Sequence, residues 1–405
     1  MKYIVKKCVS TLVPSLIRKY QANRIKNFYG QNYWNKESQK VLELVRQIGL
    51  IKYPQYLSNK YNEVSGIDNK PENAIIEINN TCNIDCLMCQ SALSTRKKGI
   101  MNDAILKVAI QRLKDFKIDL VALHTIGDPL ANPKLDYFLS IFRQYHFPIA
   151  LSTNGLLLHK HIETLLRYMD ICATIRFSID GASKKVYEKI RSGGSWETLN
   201  NNLDLFKKRL FSKNYDSSIT MTISKDNIFE VGKFIEHFRQ YVRFPFKDIT
   251  FSFVNSLSPD NSYFDKVNIF KNHTYHNLSC GFAKKFVPFV FVDGRVSVCC
   301  RDYDGSMVVG DIENLSISEM IDGESMRRFK EAHERNNLDK YPLCKQCYHV
   351  DQRIGHAFKY LMKSLLCQYP HATASFYQKS VDDFVEVFKG ENNYYEGYKG
   401  LLDRF

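Results

Sequence analysis

Asn79-Asn80-Thr81-Cys82-Asn83-Ile84-Asp85-Cys86-Leu87-Met88-Cys89 sets three cysteines as C-x3-C-x2-C just after the apolar run Ala74 to Ile78. Loop cysteines packed this tightly rarely close strain-free disulfides with one another, so the spacing points to metal ligation. A structural zinc site wants four ligands, usually in paired C-x2-C units. Three thiolates suit an iron–sulfur cube that keeps one iron open.

The sequence around this stretch alternates short apolar runs with amphipathic helices. Strands are expected at Ala74–Ile78, Leu120–His124, Ile149–Ser152, Thr174–Ser178, Ile219–Ile223 and Ile249–Phe253, with helices near 103–116, 134–145, 160–168, 184–190, 196–210 and 227–241. Six strand–helix units in series predict a parallel α/β sheet with right-handed crossovers. Six fall short of a closed eight-stranded barrel, so the expected fold is a partial (β/α)6 barrel over residues 71–260. Polar segments follow the strands: the cysteine loop, Ile126-Gly127-Asp128-Pro129, Ser152-Thr153-Asn154-Gly155, Ser178-Ile179-Asp180-Gly181 and Ser224-Lys225-Asp226-Asn227. In a parallel barrel these strand ends converge on one face, where sites are built.

Residues 1–70 read as a helical, basic segment with Trp34, and Asp68–Asn73 as a linker. From about residue 272 the pattern changes. Phe289–Val292 and Val296–Val298 flank Asp293-Gly294 as a hairpin, bracketed by Cys280 and Cys299-Cys300. A helix is expected over Ile317–Asn336, then Cys344-Lys345-Gln346-Cys347. A second unit is therefore drawn at 272–350, with a helical tail at 351–405. Cys8, Cys172 and Cys367 read as ordinary core cysteines.

The 405 residues, 44% hydrophobic and 25% charged, describe an ordinary globular chain. Its 11 cysteines are too few for a disulfide scaffold, and with no secretory signal they argue for a reducing, cytoplasmic setting. No apolar run is long enough for a transmembrane helix. The net charge of +14 admits an anionic partner, although lysine-rich solvated faces give the same count. The basic start (Lys2, Lys6, Lys7, Arg18, Lys19) would suit peripheral contact with an anionic membrane, or a helix packed on its own domain.

These residues resemble the radical S-adenosylmethionine (SAM) enzymes over Ala74 to about Phe253, with an accessory domain over Cys280 to Cys347. The resemblance implies that Cys82, Cys86 and Cys89 hold a [4Fe–4S] cluster whose open iron takes the amino and carboxylate groups of SAM. Met88 stands where the family often has an aromatic residue. Thr125-Ile126-Gly127-Asp128-Pro129 resembles the family's Gly-Gly-Glu segment, with Ile126 in place of the first glycine. It implies Gly127 and Asp128 at the methionine ammonium. Ser152, Asn154, Ser178 and Asp180 are implied as ribose and carboxylate contacts, and Arg191 as a partner of the methionine carboxylate.

Cys280, Cys299, Cys344 and Cys347 resemble the SPASM and twitch extensions, which carry auxiliary clusters. Arg353 and Ala357 stand where a two-cluster SPASM domain would have further cysteines. One auxiliary [4Fe–4S] cluster of the twitch kind is expected, with zinc as the rival and Cys300 a spare thiol. The resemblance implies reductive cleavage of SAM to a 5′-deoxyadenosyl radical, an electron donor such as flavodoxin or ferredoxin, and hydrogen abstraction from a substrate. A carbohydrate, nucleotide-linked sugar or other small polar metabolite is favoured. A peptide is the alternative, and a non-catalytic metal protein touching RNA or a membrane is the more distant one.

Overall fold

A computed structural model describes residues 73–118, 120–211, 217–255, 262–270, 274–276, 280–350 and 352–389. The basic segment 1–70, with Cys8 and Trp34, lies outside the described residues.

Strands β1 (Asn73–Ile76), β2 (Leu120–Leu123), β3 (Ile149–Thr153), β4 (Cys172–Ser178), β5 (Ser217–Ile223) and β6 (Ile249–Phe253) stand side by side in chain order, all parallel. Helices α1 (Asp103–Asp115), α2 (Leu135–Gln144), α3 (Leu158–Arg167), α4 (Lys184–Ile190), α5 (Trp196–Arg209) and α6 (Val231–Phe238) make the crossovers. Polar caps start several of them: Asn102 accepts from Ala104 N, Ser183 from Val186 N and Ser195 from Thr198 N. β6 does not pair back to β1, so the barrel is open, as expected.

Alternation in the strands decides which face does what. Val121, Leu123, Leu151, Ile175, Phe177, Ile219 and Met221 are buried in one core with apolar residues of the helices. Each such side chain contributes roughly 1.5–3 kcal/mol by leaving water. The alternate residues face the lumen and are small or polar from Ala122 through β3, β4, β5 and β6.

Beyond β1, the sheet continues with β7 (Phe289–Val290), β8 (Arg295–Ser297) and β9 (Val308–Asp311). β7 pairs parallel to β1, with Ile75 opposite Phe289 and Ile76 opposite Val290; β8 and β9 follow antiparallel. The hairpin forms as the sequence suggests, but the boundary drawn near 272 does not separate two sheets. An uncovered β1 would leave a row of unpaired backbone groups, and β7 fills that edge.

Two further expectations are sharpened. The helix expected over 317–336 is two, Ile317–Asp322 and Glu324–Glu334, because Gly323 sits in extended backbone after a helix started by the Ser316–Glu319 capping box. The tail is helical over Gln352–Gln368 and Ala374–Lys389. Phe358 packs on Phe251 and Phe253 of β6, and Ala374–Lys389 lies on α6. Gly232 permits that approach, since a Cβ there would stand 2.0 Å from Ala374 O. No helix among the described residues is long and apolar enough to cross a membrane.

Candidate functional site

The cysteine loop leaves β1 at the carboxyl ends of the strands and is tied down on three sides. Asn80 donates to Lys97 O and accepts from Gly99 N, so the chain after Cys89 returns beneath the loop. Asn79 donates to Thr81 O and Asp128 O, and Asp128 N donates to Thr81 O. Asp85–Cys86 pairs antiparallel with Arg191–Ser192, the segment after α4. Met88 packs against the small cluster of Val254, Phe264 and Val267, so its apolar side chain has a place in this departure from the family pattern.

Each of the three sulfurs receives a hydrogen bond. Asn154 Nδ2 lies 3.7 Å from Cys82 Sγ, Arg191 Nη1 is 3.5 Å from Cys86 Sγ, and Ser91 N is 3.4 Å from Cys89 Sγ. Donors aimed at sulfur stabilise thiolate and cluster sulfur and tune the potential of what they bind. Burial, and secondarily Asp128, raises the Cys82 thiol; burial pushes Cys86 up to about 11 despite Arg191. Without metal these thiols are protonated, so metal uptake must release protons. The chemistry of the donor set, three cysteines each with a donor at its sulfur, suits an iron–sulfur cluster.

Gly127 lies where the loop after β2 presses on the cysteine loop. A Cβ there would stand 2.4 Å from Asn79 O and 2.9 Å from Thr81 O, so glycine is needed for that approach. Asp128 is buried, and its carboxylate accepts from Leu130 N at 2.9 Å, Thr153 Oγ1 at 2.9 Å and Asn154 N at 2.7 Å. Burial raises its pKa against these bonds. The carboxylate is consumed within the protein. Through its bond to Asn154 N, Asp128 is tied to the residue whose side chain reaches Cys82 Sγ.

Asp180 is likewise tied to neighbouring groups of the protein. It is buried, accepts from Thr222 N at 2.7 Å and pairs with Arg191 Nε at 2.7 Å. It holds Arg191, whose Nη1 reaches Cys86 Sγ. Burial opposes the Arg191 charge, but Asp180 and Cys86 outweigh it and keep the guanidinium charged. Ser152 and Ser178 sit on the lumen face of β3 and β4, half-buried.

The second set gathers around the sheet extension. Cys280 starts the short helix Gly281–Lys284, Cys299 and Cys300 follow β8, and Cys344 lies in the helix Pro342–Lys345 just before Cys347. Burial first, then the charges of Cys280 and Cys347, pushes Cys344 up to about 12; Cys347 is raised by burial against the pull of Arg301. These three thiols are thus neighbours. Arg301 Nη1 stands 2.8 Å from Cys347 Sγ, and Arg301 N donates to Cys299 Sγ at 3.4 Å. The Cys300 thiol lies beside Cys299, which raises the Cys299 thiol and lowers that of Cys300. Cys172 is buried in the core, as expected.

The two cysteine sets are fastened together. Ser94 Oγ and Arg96 Nε both donate to Tyr303 O at 2.8 Å, and Thr95 N donates to Asp304 Oδ1 at 2.6 Å. The segment after Cys89 therefore shares bonds with the segment after Cys300. Arg96 also makes a bidentate pair with buried Glu77 at 2.7 and 2.9 Å and stacks on Phe291. The sequence reading missed Glu77 and Arg96, for which a lone charge in an apolar run was the available signal.

The lumen was missed as well. Thr174-Ile-Arg176-Phe-Ser178, Ser218-Ile-Thr220-Met-Thr222 and Thr250-Phe-Ser252 alternate polar and buried residues. A period-2 pattern in a parallel sheet signals a polar lumen in place of a fully buried one.

Family comparison places this strand order and cysteine loop in known company. The radical SAM superfamily model matches residues 76–238 and the SPASM iron–sulfur cluster-binding model residues 280–348. The chain therefore carries a radical SAM domain followed by a SPASM-type iron–sulfur cluster-binding domain. The family implies a [4Fe–4S] cluster and SAM for the first site, and iron–sulfur in preference to zinc for the second. Among its relatives is the S-adenosyl-L-methionine-dependent 2-deoxy-scyllo-inosamine dehydrogenase of Niallia circulans, 23% identical over 71% of this chain and 96% of that protein. The mycofactocin maturase MftC of Mycobacterium ulcerans is 23% identical over 39% of this chain and 42% of its own length. SuiB of Streptococcus suis, bound to its precursor peptide SuiA, shares the fold with a TM-score of 0.51 at 12% identity, over 67% of this chain and 69% of that one.

Proposed function

We propose that this radical SAM enzyme oxidises a hydroxylated small metabolite of the carbohydrate or aminocyclitol class. The observation that carries the reading is the lumen, where Ser152, Ser178, Ser218, Thr220, Thr222 and Thr250 line the face below the cysteine loop. Hydroxyls that both donate and accept suit a polyol. The relative matched over almost its whole length, a dehydrogenase of an aminocyclitol, supports the same class. A peptide is the second reading, supported by the maturase match, which spans under half of that protein.

When bound, the first cluster and SAM supply a 5′-deoxyadenosyl radical that takes a hydrogen atom, and the auxiliary cluster offers an acceptor for the electron then left on substrate. Cys82, Cys86 and Cys89 would hold the first cluster, and Cys280, Cys344 and Cys347 with Cys299 the second. Arg191, fixed by Asp180, holds a positive charge beside Cys86 where a methionine carboxylate can be paired. Asn154, fixed by Asp128, keeps an amide donor at Cys82. The polar lumen orients the substrate's hydroxyls.

Anaerobic incubation of reconstituted protein with dithionite and SAM should yield 5′-deoxyadenosine. Candidate polyols deuterated on carbon should pass deuterium into it, and peptides should not. Deuterium arriving from a peptide alone would replace the carbohydrate reading; no 5′-deoxyadenosine at all would overturn the enzyme reading.

A further inference from the structure

The lumen face is polar over β4 to β6 and carries one charge there. Ser152 on β3 is opposite Arg176 on β4, and Arg176 is opposite Ser218 on β5. Leu123 is opposite Leu151, so His124, one residue past β2, falls level with Ser152. His124, Ser152 and Arg176 therefore form one transverse row across three neighbouring strands, with side chains on the lumen face. Strands lie about 4.8 Å apart, so the row spans a width that an arginine side chain can bridge.

This row has an unmet need. Arg176 is exposed to the lumen, and among the described residues no carboxylate lies within ion-pair distance of it. The acidic groups at the strand ends are engaged elsewhere: Glu77 with Arg96, Asp128 with Thr153 and Asn154, Asp180 with Arg191, Asp226 with Lys189. His124 Nδ1 is shut off from solvent with no hydrogen-bond partner, and it feels the Arg176 charge. The lumen row thus presents a guanidinium fork, a hydroxyl and an imidazole with no acid among them.

We infer that His124, Ser152 and Arg176 form an anion subsite, and that the substrate carries a phosphate or carboxylate group seated there. The planar fork of arginine matches both groups bidentately. The row lies two residues, roughly 7 Å, below Asn154 and its bond to Cys82. A substrate anchored by its anionic end would then extend its hydroxylated carbons up toward the cysteine loop. This deepens the proposed function and rests on it for the polyol part of the substrate, while the anion subsite stands or falls on its own.

The test uses the full chain with both cluster sites reconstituted anaerobically and SAM present. Calorimetric titration with inorganic phosphate probes the subsite without presuming a substrate. Glucose, glucose 6-phosphate and glucuronate then separate polyol from anion, and phosphate from carboxylate. The expected result is phosphate binding that falls tenfold or more in Arg176→Ala, is partly kept in Arg176→Lys, and weakens in His124→Asn. Glucose 6-phosphate or glucuronate should bind at least tenfold tighter than glucose. Iron content and visible spectrum equal to wild type confirm that a variant is folded. Binding absent for phosphate and for glucuronate alike, or unchanged in folded Arg176→Ala and Arg176→Gln, overturns the subsite. Arg176-dependent phosphate binding with an acidic peptide preferred to every sugar upholds the subsite and overturns the carbohydrate reading.

Discussion

Arg191 Nε stands 2.7 Å from Asp180 Oδ2 while Arg191 Nη1 reaches Cys86 Sγ at 3.5 Å, so one guanidinium joins the end of β4 to the cysteine loop. Both partners are nearly shut off from solvent. Removing one member of a buried pair strands the other charge, at a cost of about 3–5 kcal/mol. Asp180→Asn should therefore lower the urea midpoint of the metal-free protein and weaken SAM binding measured by calorimetry. Arg191→Lys keeps the charge but loses the fork, so SAM binding should weaken while iron content changes little.

Gly127→Ala tests the contact between the two loops. The methyl group would stand 2.4 Å from the backbone oxygen of Asn79, and backbone cannot swing aside as a side-chain tip can. The cysteine loop should shift and lose its cluster while the second set keeps its own. Iron and sulfide should fall from about eight of each per chain to about four, the complement of a single cube. A variant that retains the full complement would show that the loop tolerates the shift.

Much of this was legible in sequence for a physical reason. The strand–helix alternation is local, and Asp103–Asp115, Lys184–Ile190 and Ile249–Phe253 fall within a residue of where periodicity puts them. The C-x3-C-x2-C loop is legible because three ligands of one metal site lie close in the chain. Pairing across distance is not legible that way. Nothing local to Phe289-Val290 says that it will dock on β1, and nothing local to Asp128 or Asp180 says whether its carboxylate faces a ligand or a backbone amide. The bonds that Asp128 and Asp180 make are between residues far apart in the chain and appear only in the fold.

Glu77 and Arg96 link the first cysteine loop to the sheet extension. Beyond their bidentate pair, Glu77 accepts from Thr125 Oγ1 and from Val292 N, and Arg96 lies 4.1 Å over the Phe291 ring. Glu77→Gln or Arg96→Met should each destabilise the metal-free protein by about 3–5 kcal/mol, and the double variant by much less than the sum. Measured as denaturation midpoints, additive losses would mean that the pair is not a coupled unit. Because Arg96 also donates to Tyr303 O, Arg96→Met should speed cluster loss from both sites under chelator, followed by visible absorbance.

His124 gives the lumen a pH signature. Burial first, and then the Arg176 charge, pushes its pKa from an ordinary 6.5 down to about 4. Between those values the unfolded chain binds a proton that the folded chain refuses, so the contribution of this residue to stability falls as pH drops from about 6.5 toward 4. Above pH 6.5 both states are neutral at this site and the effect vanishes. Metal-free wild type should thus lose more stability between pH 7 and pH 5 than His124→Gln does, read as the difference in urea midpoints. Carboxylates that titrate lower in the range act on both proteins alike and cancel in the comparison. An anion seated against Arg176 would offset its charge and favour the imidazolium, so added phosphate should narrow the gap between wild type and variant. A gap that phosphate leaves unchanged would mean that the anion does not reach the imidazole.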